Sequence, residues 1–594
     1  MKKIFVLNLA FVTLLLTIPL SGAANQLNGL SPVSLEQICV KGELQKRLGR
    51  NFNRLEKTKY KPENVFLTMK QSGDWPGDTE GRTILGLVLD AQATAREPLY
   101  LDEIIRRLPA HLNEKGYMGP VYCGFQHEQQ LSGNGWLLRG LCEYYLWKRD
   151  VKVLPYIQSI AFNLFLSGKG SYSKYPIVSN QRKQNVGAES GSIQQSINGW
   201  KLSSDIGCVF IGMDGFLQAC QVLKDAAKSG FLYISRDEIK NMDLLAQEMI
   251  NRFLEIDLVK IKAQTHATLT ACRGLVRYAE MTGESRYITE AEKRFRLYMS
   301  DGMTENYENY NWFDRFDTWT EPCAIVDSYM LAMQLWQYTR KKLYRETAEL
   351  IYWNALCRTQ RKNGGFGCDN CPGEAAGAKD LFVHVPEAHW CCTMRGGEGL
   401  SRVAQYTCYT GSYRDIYLTC YRDAQVNLKL KNDKILKFEV TTRYPFEGKA
   451  NIKILENQCG KISLHLPVAS WMKNVSLKLN GQKVSLNNES GFIVLKAAFK
   501  AGDEVCVDFM QKATLQSVIN KTNTKPQSRR VFYGPLQLGL STSHNAEIPS
   551  ACTFERIDNN HFRLKETQQM FSTVYHLLSP EVWEKGSCSL QVLF

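Results

Sequence analysis

A chain of 594 residues with 44% hydrophobic and 22% charged residues is globular, neither a disordered chain nor a multi-span membrane protein. Lys and Arg outnumber Asp and Glu by 73 to 59, for a net charge of +14. The basic residues never gather into a long block, so the charge reads as a solvated surface and not as a nucleic-acid footprint.

The chain opens with a basic Met1-Lys2-Lys3, an apolar run over 4–20, and the small residues Ser21-Gly22-Ala23-Ala24. This pattern predicts a secretory signal peptide over 1–24 and an exported, periplasmic chain. No later stretch approaches the length of an apolar membrane span, so no stable membrane insertion is expected after cleavage.

From about 80 to 410 the apolar residues recur at helix spacing, over 83–95, 135–148, 213–227, 269–282, 324–339 and 345–358. Gly283 and Gly411 stand where a C′ glycine would end two of these helices. The helices recur as hairpins, which describes a toroid better than a four-helix bundle. After about 412 the period becomes two, over 415–421, 424–430, 437–442, 461–466, 475–479, 492–495 and 505–509. Asn480-Gly481 is a hairpin turn. The expected architecture is a helical barrel over 25–411 followed by antiparallel β-sandwich material over 412–594, packed firmly because no flexible linker separates them.

Most of the 18 cysteines sit singly in apolar segments, as Cys142 and Cys220 do, and read as inert core thiols. Cys368 and Cys371, a CxxC pair without a thioredoxin-like context, read as a structural disulfide in an oxidising compartment. Glu321-Pro322-Cys323 and Cys391-Cys392 together supply a carboxylate and three thiols, a set that suits tetrahedral zinc. Two other readings stay open on spacing alone: Cys391 bonded to a distant cysteine, or ordinary core thiols. The segments 301–321 and 383–400, rich in aromatics and carboxylates, read as loops over a cleft. Trp75 and Asp78 in a Gly-rich turn, and His384 and His389 beside the cysteine pair, are candidate sugar contacts.

Glu-x-Cys at one helix start and Cys-Cys at another resemble glycoside hydrolase family 127 and its relatives, which include β-L-arabinofuranosidases. Further similarity lies at Gly135-Trp136 and the helix it opens, at Thr265-His266, at 464–471 with 479–481, and at 530–538. The resemblance implies an (α/α)6 barrel followed by β-sandwich material. It also implies a zinc ion on Glu321, Cys323, Cys391 and Cys392, a nucleophile at Cys391, and a general acid/base at Glu305, with Glu308 as the rival acid. His266 and Trp136 fall on its sugar-contact helices. The implied activity is retaining hydrolysis of a plant-type or other complex glycan, with an oligosaccharide or polysaccharide as partner. This sequence departs from the family at Trp136, where the family has His, at Asp214, and at Thr393-Met394-Arg395 after the cysteine pair, where Pro-Pro-Asn is common. A polysaccharide lyase on a similar toroid-plus-sandwich fold, and a non-catalytic glycan-binding protein with a structural zinc, are the rival readings.

Overall fold

The computed structural model describes residues 27–66, 75–183, 194–412, 414–519, 528–541, 546–576 and 589–594. The expected signal peptide, 1–24, lies outside the described residues.

Helices alternate between an outer and an inner layer. The outer ones are α1 (Gly42–Leu55), α3 (Leu101–Arg107), α5 (Leu154–Ser159), α7 (Arg236–Leu254), α9 (Arg286–Leu297) and α11 (Lys342–Ile351). The inner ones are α2 (Asp78–Thr94), α4 (Glu128–Lys148), α6 (Ile211–Lys228), α8 (Thr265–Thr282), α10 (Pro322–Thr339) and α12 (Cys392–Gln405). Each inner helix packs on the next, and α12 returns to pack on α2, which closes the ring into an (α/α)6 barrel.

Local chemistry sets the ends of these helices. Ser235 and Glu238 form a reciprocal capping box on α7. Pro322 starts α10, where its missing donor costs nothing. Gly283 ends α8 at φ 77°, as its position predicts. Gly411 does not cap a helix. α12 stops at Gln405, and the chain is already a strand over Cys408–Thr410.

The inner helices are buried on nearly every side, so their polar residues lie inside the molecule and their apolar stripes are indistinct. Glycines allow α2, α4 and α6 to approach closely. A Cβ on Gly81 would stand 2.2 Å from the Leu137 nitrogen, and one on Gly215 would stand 2.1 Å from the Gly135 carbonyl.

The strands form a six-stranded and a seven-stranded sheet that share one continuous core with the barrel. Alternating burial runs along Ala424–Lys429 and Ile435–Thr442, as a half-buried strand requires. Asn480 and Gly481, both at positive φ, turn Lys473–Leu479 into Gln482–Val484. A third sheet gathers Ala513–Ser517, Arg529–Tyr533, Leu536–Leu540 and the strands after them around its own core.

A division at 411/412 would leave the first strands with the barrel, but sheet pairing joins them to the sandwich. Ser31–Pro32 pairs with Cys408–Thr410, and Ile38–Val40 pairs with Ala424–Lys429.

Gly81→Ala should place a methyl group against the α4 backbone, where no flexible side chain can yield. A loss of about 2–3 kcal/mol is expected in urea unfolding. Gly170→Ala, whose Cβ would meet nothing within 4 Å, should lose less, with only its positive φ to strain.

Candidate active site

The N-terminal turns of α2, α8, α10 and α12 meet at one end of the barrel. α10 brings Glu321 and Cys323 there, and α12 brings Cys391 and Cys392. Of the four residues expected to converge, the three thiols gather in one group, and Glu321 gathers with Cys323 and His266 in a second. Cys323 Sγ lies 3.6 Å from Cys392 Sγ, and Cys391 Sγ lies 3.2 Å from Cys392 Sγ. Cys323 and Cys392 are fully buried, while Cys391 is partly open to the outside. The Ala388 carbonyl receives the amides of Cys391, Cys392 and Thr393, and this tight turn aims two adjacent cysteines at one centre.

The three thiols do not share charge evenly. Burial opposes ionisation of Cys323, but hydrogen bonds from Cys391 and Cys392, with the Arg82 and His266 cations nearby, outweigh it and hold its pKa well below the ordinary thiol value. Cys391 is pushed well above that value, chiefly by its hydrogen bond to Cys323, and Cys392 is pushed up chiefly by burial. Without a metal, Cys323 is therefore the member on which a thiolate is favoured over its two neighbours.

Several residues brace this anion. Arg82 donates through Nη1 to Cys323 Sγ at 3.2 Å, and Asp78 grips the same guanidinium with bonds of 2.8 and 2.9 Å. His266 Nδ1 lies 3.1 Å from Glu321 Oε1, and its Nε2 lies 3.4 Å from Asp327. Burial lowers the pKa of His266, but the surrounding anions, led by Glu321, outweigh that and raise it.

Trp136 is fully buried. The Arg82 and Arg395 guanidiniums each lie 4.3 Å from its ring centroid, and His266 stacks at 6.0 Å. Trp136 thus lies against two guanidiniums, one of which also contacts Cys323.

The remaining expected residues divide between the mouth and the interior. Trp75 packs part-buried against the core. Asp78 is spent on Arg82. His389 lies at the mouth, with its carbonyl held by Tyr60 Oη at 3.0 Å and its ring set edge-on to Trp390. The 301–321 segment does not lie over a cleft as an exposed loop: residues 302–313 are buried, while Asp314 and Asp317 are exposed. Glu305 is fully buried, accepts from the Ile519 amide at 2.8 Å, and stands 3.4 Å from Arg530. Glu308 is also fully buried, and burial together with nearby Asp369 pushes its pKa well above the ordinary carboxyl value. Cys368 and Cys371, expected as a bridge, are free thiols. Cys368 hydrogen-bonds Cys392, and Cys371 hydrogen-bonds the Asn309 carbonyl at 3.4 Å.

Sequence reasoning missed the charges below the cluster. Asp327 takes Arg273 and Arg395 at 2.5 Å each. Asp214 takes Arg277 at 2.7 Å and Arg139 at 3.2 Å, and Glu398 takes Arg139 at 2.9 Å. The available signal was position, since Arg82 and Asp327 each lie one helical turn beyond a site residue, Asp78 and Cys323.

Comparison with known proteins places this architecture among glycoside hydrolase folds. Residues 415–510 match the family model for the middle domain of GH127 β-L-arabinofuranosidases. A solved GH127 β-arabinofuranosidase superposes with a TM-score of 0.67 at 13% identity, over 96% of this chain and 98% of the other. A GH127 β-L-arabinofuranosidase from Geobacillus stearothermophilus T6 superposes with a TM-score of 0.66 at 12% identity, over 94% of this chain and 99% of the other. No curated protein matches the sequence. The family resemblance read from the sequence is borne out by the middle-domain match and by the shared fold.

The buried carboxylates make stability depend on acid. Burial raises the pKa of Asp214, but the Arg277, Arg139 and Arg273 guanidiniums outweigh it and leave the value below the ordinary one. Its contribution is fully present above the unfolded carboxyl value of about 3.9 and is lost as pH falls through the lower folded value. Asp214→Asn should cost about 1–3 kcal/mol at neutral pH by leaving Arg277 without its carboxylate, while Arg139 and Arg273 keep Glu398 and Asp327. The variant should also lose less further stability than the parent on acidification below about pH 4, as measured by urea unfolding across pH.

Proposed function

We propose that this chain is an exported, zinc-dependent retaining glycoside hydrolase acting on a β-L-arabinofuranoside or a closely related sugar, with Cys391 as nucleophile and Glu305 as acid/base. The observation that carries the reading is the thiol triad at the barrel mouth, with the partly open Cys391 as its outermost member. The fold shared with GH127 β-arabinofuranosidases supports the sugar class.

The residues fit a zinc ion. Ligands about 2.3 Å from one tetrahedral centre stand roughly 3.8 Å apart, close to the observed sulfur separations. Glu321 Oε2 is a buried oxygen without a hydrogen-bond partner, directed away from the oxygen that His266 holds. Glu321, Cys323, Cys391 and Cys392 would hold the ion, and His266 would fix the carboxylate's orientation. Bound there, zinc would draw protons from the thiols and keep Cys391 as a thiolate.

The Cys391 thiolate attacks the anomeric carbon, and the bond to the leaving oxygen breaks as that oxygen takes the Glu305 proton. Water then adds to the anomeric carbon, Glu305 accepts its proton, and the thiolate leaves. Two displacements retain configuration, with sulfur in place of the second carboxylate.

A second reading of the acid has its own support. Glu308 is a fully buried carboxyl whose pKa burial, with nearby Asp369, pushes well above the ordinary value, which is the direction a general acid needs.

Zinc should be present at one ion per chain by elemental analysis and fall sharply in Cys323→Ser. Cys391→Ser should stop turnover of every glycoside. Glu305→Gln should abolish turnover of unactivated glycosides by about 10²-fold or more, yet spare formation of the intermediate from aryl glycosides that leave without a proton. Turnover of unactivated substrate within a few-fold of the parent would move the acid to Glu308. An unsaturated uronide product would establish the lyase reading instead.

A further inference from the structure

Among the described residues, one guanidinium hydrogen-bonds the thiol triad. Arg82 is buried, and its Nη1 donates to Cys323 Sγ at 3.2 Å. Arg395, the other guanidinium on Trp136, pairs instead with Asp327 and Glu398. His266 lies between Glu321 and Asp327.

Three contacts fix the direction of Arg82. Asp78, one turn earlier on α2, takes Nε at 2.9 Å and Nη2 at 2.8 Å, which leaves Nη1 for Cys323. The Trp136 ring lies against the guanidinium, with its centroid 4.3 Å away. α2 and α4 touch at this level, because Gly81 packs without a side chain against the Leu137 backbone. Asp78 and Arg82 cancel, so the pair brings little net charge to the thiols. What it delivers is a directed N–H. A planar fork can serve a carboxylate and a sulfur at once, which an ammonium group does less well.

That bond matters because of the charge the site would carry. Glu321 and three thiolates around a divalent ion leave an anionic centre in a buried place, where uncompensated charge is expensive. A charge-assisted hydrogen bond to a ligand sulfur spreads the charge and holds the sulfur in place.

We propose that Arg82 is a positioning residue for the metal: through Cys323 it strengthens zinc binding and fixes one corner of the ligand set, with Asp78 as the residue that aims it. The inference rests on the zinc reading above and adds a residue that acts through a ligand.

The test removes the donor without stranding a carboxylate. Asp78→Asn with Arg82→Met replaces the pair by uncharged side chains of similar length. Zinc affinity, measured by competition with a chromophoric chelator, should fall about 10- to 100-fold. In the cobalt(II)-substituted protein the sulfur-to-metal charge-transfer band should move to longer wavelength, because a thiolate that loses a hydrogen bond gives up an electron more easily. Arg82→Lys, which keeps a donor but not the fork, should recover part of both. A purely structural Arg82 would lower the urea midpoint and leave the zinc affinity and the band where they are, and that result overturns the proposal. If the double variant does not fold, Asp78→Asn alone leaves Arg82 present but unaimed. Smaller changes in the same two directions are then expected, and unchanged values overturn the proposal equally. Failure of the zinc reading is distinct: a parent chain that binds neither zinc nor cobalt overturns both, whereas a parent that binds zinc no more tightly than its variants overturns this inference alone.

Discussion

Charge in a dry barrel lumen must be cancelled by other buried charge, and that constraint organises this molecule. Arg82, Arg139, Arg273 and Arg395 project inward from four inner helices, and Asp78, Asp214, Asp327 and Glu398 receive them. A buried ion left single is expensive, while a paired one roughly breaks even against apolar packing. The network therefore adds little net stability but fixes which helices face each other and at what height. The glycines at the α2, α4 and α6 crossings bring the backbones close enough for these short side-chain bridges.

The thiol cluster is the top layer of this network. Arg82 links the two, since one guanidinium is shared between Asp78 and Cys323. Asp327 links them again, through His266 to Glu321. Negative charge in the metal-free cluster is favoured on Cys323, which Arg82 contacts, over Cys391. A further cation beside Cys391 would favour a thiolate there, which is the physical reason that nucleophile and metal belong to one proposal.

The fold was largely legible because its two periods are unmixed: 3.6 through the barrel and two through the sandwich. Misreadings arose where a local rule met a tertiary one. Gly411 follows a helix in sequence but ends a strand, because Cys408–Thr410 pairs with the chain's first strand. That pairing spans almost the whole barrel, and no local pattern announces it. The liganding set was legible because adjacent cysteines and a Glu-x-Cys are rare. The second layer was not, because a buried arginine on an inner helix looks in sequence like a solvent-facing one. The segment 301–321 misled for the same reason: its carboxylates and amides suggest an exposed loop, yet they satisfy each other and the ends of α8 and α10 in the interior, as Asn309 does for Thr265 and Glu321.

The departures from the family's pocket pattern form one coupled change. Trp136 replaces a histidine that could contact a sugar, and a buried indole needs both faces covered. Arg82 and Arg395 each lie 4.3 Å from the ring centroid, the latter just after the cysteine pair where the family's Pro-Pro-Asn would stand. Each guanidinium is neutralised in turn, by Asp78 and by Asp327 with Glu398. The charges that accompany Trp136 are paired, and the three thiols still gather beside them. The residues at Trp136 and Arg395 are thus physically coupled, because each supplies the other's contact.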